Sequence, residues 1–158
     1  MPWKNKFKQL TPITNLYDQE FKGDYTGIIY SPFWDADEQV YIEEKHIEHS
    51  LCFEDALFIE TWSCRTGRNV GWIYKQTETE YLFCTNNKHC YSVDYPKLRK
   101  IWYNLYPHPL LHPDYKTIER INNSYQWSWN RTQQKNQSEG YYIPIDWFYE
   151  NSLILEKW

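Results

Sequence analysis

VYIEEKHIEH, Val40 to His49, is the stretch on which the reading of this chain turns. Apolar and polar residues alternate through its first half, which is the pattern of a half-buried β-strand. Side chains of a strand point to opposite faces in turn, so Tyr41, Glu43 and Lys45 share one face while Val40, Ile42 and Glu44 share the other. Two explanations compete for the charged end. The strand leaves the core and meets water, or a carboxylate and an ammonium are held side by side to do chemistry.

The flanking sequence favours a hairpin. YTGIIYSP, closed by Pro32, predicts a strand before the acidic turn FWDADE, and QVYIEEK returns. ALFIETW predicts a third strand, with EYLFCT and CYSV as two more, while VGWIYKQ is too short to separate strand from helical turn. DYPKLRKIWYNLY predicts a helix. Asp94 suits its cap, Pro96 its first turn, and Leu98, Ile101, Trp102 and Leu105 recur at helical spacing. TPITNLYDQEF predicts a shorter helix capped by Thr11 or Thr14. Residues 1–11 suggest a basic arm or short helix, and DYKTIERINN a further helix. Residues 128–140, SWNRTQQKNQSEG, are a candidate mobile loop. YYIPI predicts an edge strand because it contains Pro144, and Asp146 is positioned to cap a closing helix.

Together these elements predict one domain over residues 1–158: an α/β fold of α+β character, with a mixed central sheet of four to six strands flanked by helices. Early hairpins disfavour an all-parallel sheet. None of the five glycines builds a phosphate cradle with a lysine.

Composition bounds the function without naming it. A chain of 158 residues and 19.5 kDa has room for a real core. Nine Trp, fifteen Tyr and seven Phe supply it. Net charge is −4, and residues 20–60 hold eleven of the twenty-one acids against Lys22 and Lys45 alone. That balance disfavours strong non-specific nucleic-acid binding, which comes from phosphate neutralisation. MPWKNKFKQL has no apolar run behind its charges, so the sequence predicts no membrane association. The expected location is the cytoplasm, or the host cell interior for a viral protein, with Cys52, Cys64, Cys84 and Cys90 reduced.

Glu43 can offer oxygen to a divalent ion, with Lys45 beside it. Asp24, just before the preceding strand, can supply a second carboxylate, because neighbouring strands lie about 4.8 Å apart. Mg²⁺ or Mn²⁺ prefers such oxygen ligands and can polarise a phosphoryl group. Glu20 and Glu60 are auxiliary ligand candidates.

This order of residues resembles the PD-(D/E)xK nuclease superfamily, which includes restriction endonucleases and many phage-encoded nucleases. Asp24 and Glu43-x-Lys45 match its motif, with eighteen residues between the acids. FEDALFIETWS followed by GWIYKQTETEYLFCT is similar to small members of phage or mobile-element type. The resemblance runs from about residue 20 to residue 104. It departs from related patterns at Ile29, where an Asp often follows Gly-Ile. It implies a restriction-endonuclease-like sheet and metal-dependent DNA endonuclease activity. It further implies that Asp24, Glu43 and the Glu44 backbone carbonyl bind the metal, with Lys45 stabilising the attacking water or the phosphate. Lys97, Arg99 and Lys100 are candidate contacts to DNA phosphates.

Other readings compete. His46, His49 and Cys52 recur every three residues and, with Cys64, offer imidazole and thiolate ligands for zinc. Trp34, Trp62, Trp72 and Tyr74 can stack on bases or fill a core. A non-enzymatic interaction protein of a virus or mobile element, on the same scaffold, is the principal alternative function. A homodimer or another protein partner is compatible with the aromatic content.

Overall fold

The computed structural model describes residues 2–46, 55–64, 69–86, 88–107, 125–128 and 139–158. The strands are β1 (Gln9–Pro12), β2 (Tyr25–Ser31), β3 (Ala36–His46), β4 (Ala56–Cys64), β5 (Asn69–Val70), β6 (Tyr81–Thr85), β7 (Cys90–Asp94), β8 (Tyr125–Ser128), β9 (Glu139–Pro144) and β10 (Ile154–Lys157). The helices are α1 (Leu16–Lys22), α2 (Trp72–Lys75), α3 (Tyr95–Leu105) and α4 (Ile145–Glu150), preceded by a 3-10 turn at Pro2–Lys6.

The fold is mixed α/β. β2 and β3 form the expected antiparallel hairpin, with Tyr25 opposite Ile42 and Ser31 opposite Ala36. β3 then pairs with β6 in parallel, which places Glu43 opposite Leu82 and Lys45 opposite Cys84. With β1, β7 and β10 this makes a six-stranded mixed sheet in the order β1-β2-β3-β6-β7-β10. The described residues also form a second, four-stranded sheet in the order β5-β4-β9-β8. ALFIETW, expected as a further strand, belongs to that second sheet rather than lying beside the hairpin.

Two cores lie on opposite faces of the six-stranded sheet. Val40, Ile42 and Phe83 pack with Trp3 and Phe7, and the Trp3 ring stacks on Phe83 at 4.2 Å. Leu82, Cys84, Tyr91 and Val93 face the other way and meet Leu57, Ile59, Tyr141 and Ile143 of the second sheet, with Leu98 and Trp102 of α3. The N-terminus is therefore no free arm. Trp3 is fully buried, which outweighs the solvation of its neighbouring lysines, since a buried large apolar side chain stabilises by about 2–3 kcal/mol.

Other local features depart from the sequence reading. Asn15, not Thr11 or Thr14, caps α1 by accepting from the Asp18 N–H at 3.2 Å. VGWIYKQ becomes β5 and the single turn α2. β9 is an inner strand, flanked by β4 and β8, and Pro144 is tolerated because it is the last strand residue. Asp146 makes no cap bond to α4, and the chain closes on β10 rather than a helix. For α3 the expectation is met, since Asp94 accepts from the Lys97 N–H at 3.2 Å. The 114–123 helix and most of the 128–140 loop lie outside the described residues. No described helix is long and apolar enough to cross a membrane.

Candidate active site

The Glu43 face of β3 looks toward a cleft of about 410 Å³. Its lining includes Glu20 of α1, Asp24, Glu43, Lys45, Glu60 of β4, and Trp72, Lys75 and Gln76 around α2. Three separate pieces of backbone bring these groups together.

The first is the α1–β2 junction. Gly23 adopts φ +105°, and a Cβ there would stand 2.6 Å from the Ile42 carbonyl oxygen. Only glycine lets the chain turn this tightly against β3. Asp24 follows at once, donating its N–H to the Ile42 carbonyl at 2.7 Å. Its Oδ2 accepts from the Glu44 N–H at 3.0 Å, so two bonds to β3 fix this carboxylate beside Glu43. Ile29, by contrast, pairs with Glu38 and packs in the Trp3 cluster. An acid at position 29 would be remote from Glu43; Asp24 is the one the hairpin register delivers.

The second piece is β3 itself. Glu43 is 3% exposed and forms an ion pair with Lys45, which keeps 32% of its side chain in solvent. Burial raises the Glu43 pKa above the ordinary carboxylate value, opposed by Lys45 and reinforced by the Asp24 charge. For Lys45 burial acts downward, but Glu43, Asp24 and Glu60 together hold the ammonium above its usual value. The ammonium also lies 5.8 Å from the Trp72 ring centroid. Glu44 points to the other face, where Tyr25 Oη donates to it at 3.4 Å and His46 Nε2 stands 3.1 Å away.

The third piece is α2. Gly71 donates to the Thr61 carbonyl at 2.8 Å, and a Cβ on it would lie 2.1 Å from the Glu60 carbonyl. This close approach docks α2 on β4 and carries Trp72, Lys75 and Gln76 to the cleft. Gln76 is buried, accepts from the Tyr95 hydroxyl at 2.7 Å and hydrogen-bonds Glu43 through its amide. Tyr95 thus sets which end of the Gln76 amide faces the acid. Gln76, Tyr95, Trp72 and Lys75 were not singled out from the sequence as parts of this site. A Gln before one strand and a Tyr after another carry no pattern that links them.

The remaining candidates separate. Arg99 is turned inward, donating from Nε to the Ile73 carbonyl at 3.2 Å and from a terminal nitrogen to Tyr103 Oη at 2.6 Å. It braces α3 against α2 instead of meeting phosphate. Lys97 reaches the Ser152 carbonyl at 3.4 Å, and Lys100 is exposed; neither lines the cleft. Of the zinc candidates, His46 is engaged with Glu44, while His49, Cys52 and the Cys64 side chain lie outside the described residues. Trp62 and Trp72 are buried, whereas Trp34 is exposed.

The cleft chemistry is defined by oxygen. Glu20, Asp24, Glu43 and Glu60 line it, and its described lining includes no His or Cys. Such a donor set fits a hard dication, Mg²⁺ or Mn²⁺, better than zinc. Among the described residues no three acidic, His or Cys groups already stand at ligand spacing, and Glu43 holds Lys45 instead. The chain matches no family model, no curated protein and no solved structure.

Proposed function

We propose that the protein is a metal-dependent endonuclease that hydrolyses phosphodiester bonds in DNA. The observation that carries this reading is the convergence of Asp24, which leads into β2, with Glu43 and Lys45 of β3 on one cleft, in the order that the resemblance to PD-(D/E)xK nucleases implies. The Asp24 and Glu43 carboxylates would hold Mg²⁺ or Mn²⁺, with Glu20 and Glu60 as further oxygen donors. That ion would supply Lewis-acid stabilisation of the phosphoryl oxygens and a more acidic bound water.

The protein groups have their own tasks. Lys45, beside Glu43 on the same face of β3, would set its ammonium against the charge that develops on the phosphate. Trp72 lies beside it and restricts where the ammonium can go. The backbone bonds that fix Asp24, and the Gln76 amide on Glu43, hold both acids in place before substrate arrives. Such preorganisation lowers the cost of reaching the reactive geometry.

Cleavage of linear, nicked and branched DNA with Mg²⁺ or Mn²⁺ tests the reading, comparing the parent with Glu43→Ala and Lys45→Ala. The expected result is cleavage by the parent and loss in both variants. Full activity in both would reject the assigned site.

The interaction-protein reading draws on a different feature. At the tip of the β2–β3 hairpin Phe33 and Trp34 are 84% and 69% exposed, and their rings meet edge-on at 4.8 Å. Asp35 holds φ +48° there, with its carboxylate bound by Tyr30 Oη. A rigid aromatic tip of this kind suits insertion into a protein partner. An inert parent, together with partner capture lost in Phe33→Ser/Trp34→Ser, would favour that alternative.

A further inference from the structure

α2 is a single turn of four residues, and a helix that short does not persist in water by itself. α3 holds it in place. Tyr95, Arg99 and Tyr103 recur every four residues along one face of α3, and each donates to a different carbonyl of α2. The Tyr95 hydroxyl meets the Trp72 carbonyl, Arg99 Nε the Ile73 carbonyl and the Tyr103 hydroxyl the Tyr74 carbonyl, each at 3.2 Å. The last carbonyl, of Lys75, accepts from the Thr77 N–H at 2.8 Å. Every carbonyl of the turn therefore has a donor, and Gly71 docks its other end on β4.

The residues carried by this clamped turn and its cap explain the expense only in part. Trp72, Lys75 and Gln76 all line the cleft. Trp72 lies beside the Lys45 ammonium, and Gln76 bonds Glu43. Lys75 does neither. A lysine at a helix C-terminus ordinarily serves the free carbonyls there, but these carbonyls are already occupied. Glu20, Asp24, Glu43 and Glu60 line the same cleft, yet among the described residues Lys75 makes no ion pair. Lys45, the other cleft lysine, is paired with Glu43. One half-buried ammonium, fixed at its backbone, thus stays available to an anion entering from outside.

We infer that Lys75 is a second phosphate-binding residue of the cleft, taking the DNA backbone phosphate next to the one that Lys45 meets. The inference rests on the hydrolytic reading and adds to it a positioning subsite for the substrate backbone. An ammonium binds phosphate as a point charge, and such contacts set register without reading sequence. The α3 clamp gives that contact a fixed origin, so the neighbouring phosphate is held at a set place relative to the reactive one.

Salt-dependent binding tests it. Fluorescence anisotropy with labelled linear and branched DNA, Ca²⁺ replacing Mg²⁺, is measured over a range of KCl for the parent, Lys75→Gln, Lys75→Arg and Lys157→Gln. The last removes an exposed charge on β10, away from the cleft. Lys75→Gln should weaken binding roughly five-fold or more at low salt and flatten the slope of log affinity against log salt by about 1. Its melting temperature and Mn²⁺ affinity should match the parent's. Lys75→Arg should keep the parent slope, because the charge survives. An unaltered slope in Lys75→Gln, a loss shared by Lys157→Gln, or a loss that follows a lowered melting temperature overturns the inference. Glu43-dependent cleavage in that case leaves the hydrolytic reading standing. The expected slope change without any cleavage by the parent keeps the phosphate subsite and removes the hydrolytic reading. A parent that binds and cleaves neither DNA overturns both.

Discussion

Lys45 Nζ is paired with Glu43 Oε1 on one face of β3, at a point where Glu43 is 3% exposed. The carboxylate is thus removed from water beside its own counter-ion, a cation that a metal would have to displace.

Breaking this pair from one side should be costly. Lys45→Met leaves a buried carboxylate with no ammonium and is expected to destabilise the fold by about 3 kcal/mol. Adding Glu43→Gln to it should recover part of that loss, because the stranded charge is gone. Urea unfolding of the two single variants and the double variant checks this. A double variant no more stable than the sum of the single losses would show that the pair is not coupled.

Proton competition at Glu43 gives a second test. Burial raises its pKa, with Lys45 opposing, so the folded chain keeps this proton to higher pH than the unfolded chain. Ionising Glu43 therefore draws on stability as pH rises from the ordinary value of 4.5 through the raised one. Glu43→Gln should lack that decline. A dication needs the ionised form, so Mn²⁺ affinity measured by calorimetry should weaken on acidification before ordinary carboxylates titrate. Affinity that stays flat down to the ordinary carboxylate range would contradict the assignment.

The Gln76 amide should act on the site through Glu43. Tyr95→Phe removes one hydroxyl, which donates to Gln76 Oε1 at 2.7 Å, and frees the amide to turn. Expected are a few-fold weaker Mn²⁺ binding and slower cleavage, with a stability loss of about 1 kcal/mol. Unchanged metal affinity would make Tyr95 a packing residue only.

Gly23→Ala tests the junction that delivers Asp24. At φ +105°, with the Ile42 carbonyl 2.6 Å from the added Cβ, the change should cost about 2 kcal/mol or more. It should also lower metal affinity by shifting Asp24. A melting temperature equal to the parent's would show that the turn relaxes freely.

The hairpin, and the meeting of Asp24, Glu43 and Lys45 at one cleft, were legible because their signals are local. Alternation in Val40 to Lys45, turn composition in FWDADE and the position of Asp24 together define the register that brings the acids side by side. The second sheet was not legible. ALFIETW alternates like any half-buried strand, and nothing in it says which sheet it joins. Arg99 was misread because a polar residue off the Leu98–Ile101–Trp102 stripe ordinarily faces water. The missing fact is the packing of α2 against α3, which offers Arg99 the Ile73 carbonyl and the Tyr103 hydroxyl. Trp3 was masked in the same way by the lysines around it, until its stacking partner Phe83, eighty residues away in sequence, came into place.

The most direct measurement is anomalous diffraction from a crystal soaked in Mn²⁺. The proposal requires an anomalous peak between the Asp24 and Glu43 carboxylates, with Lys45 Nζ moved off Glu43. Mn²⁺ bound only elsewhere, with the Lys45–Glu43 pair intact, would contradict it.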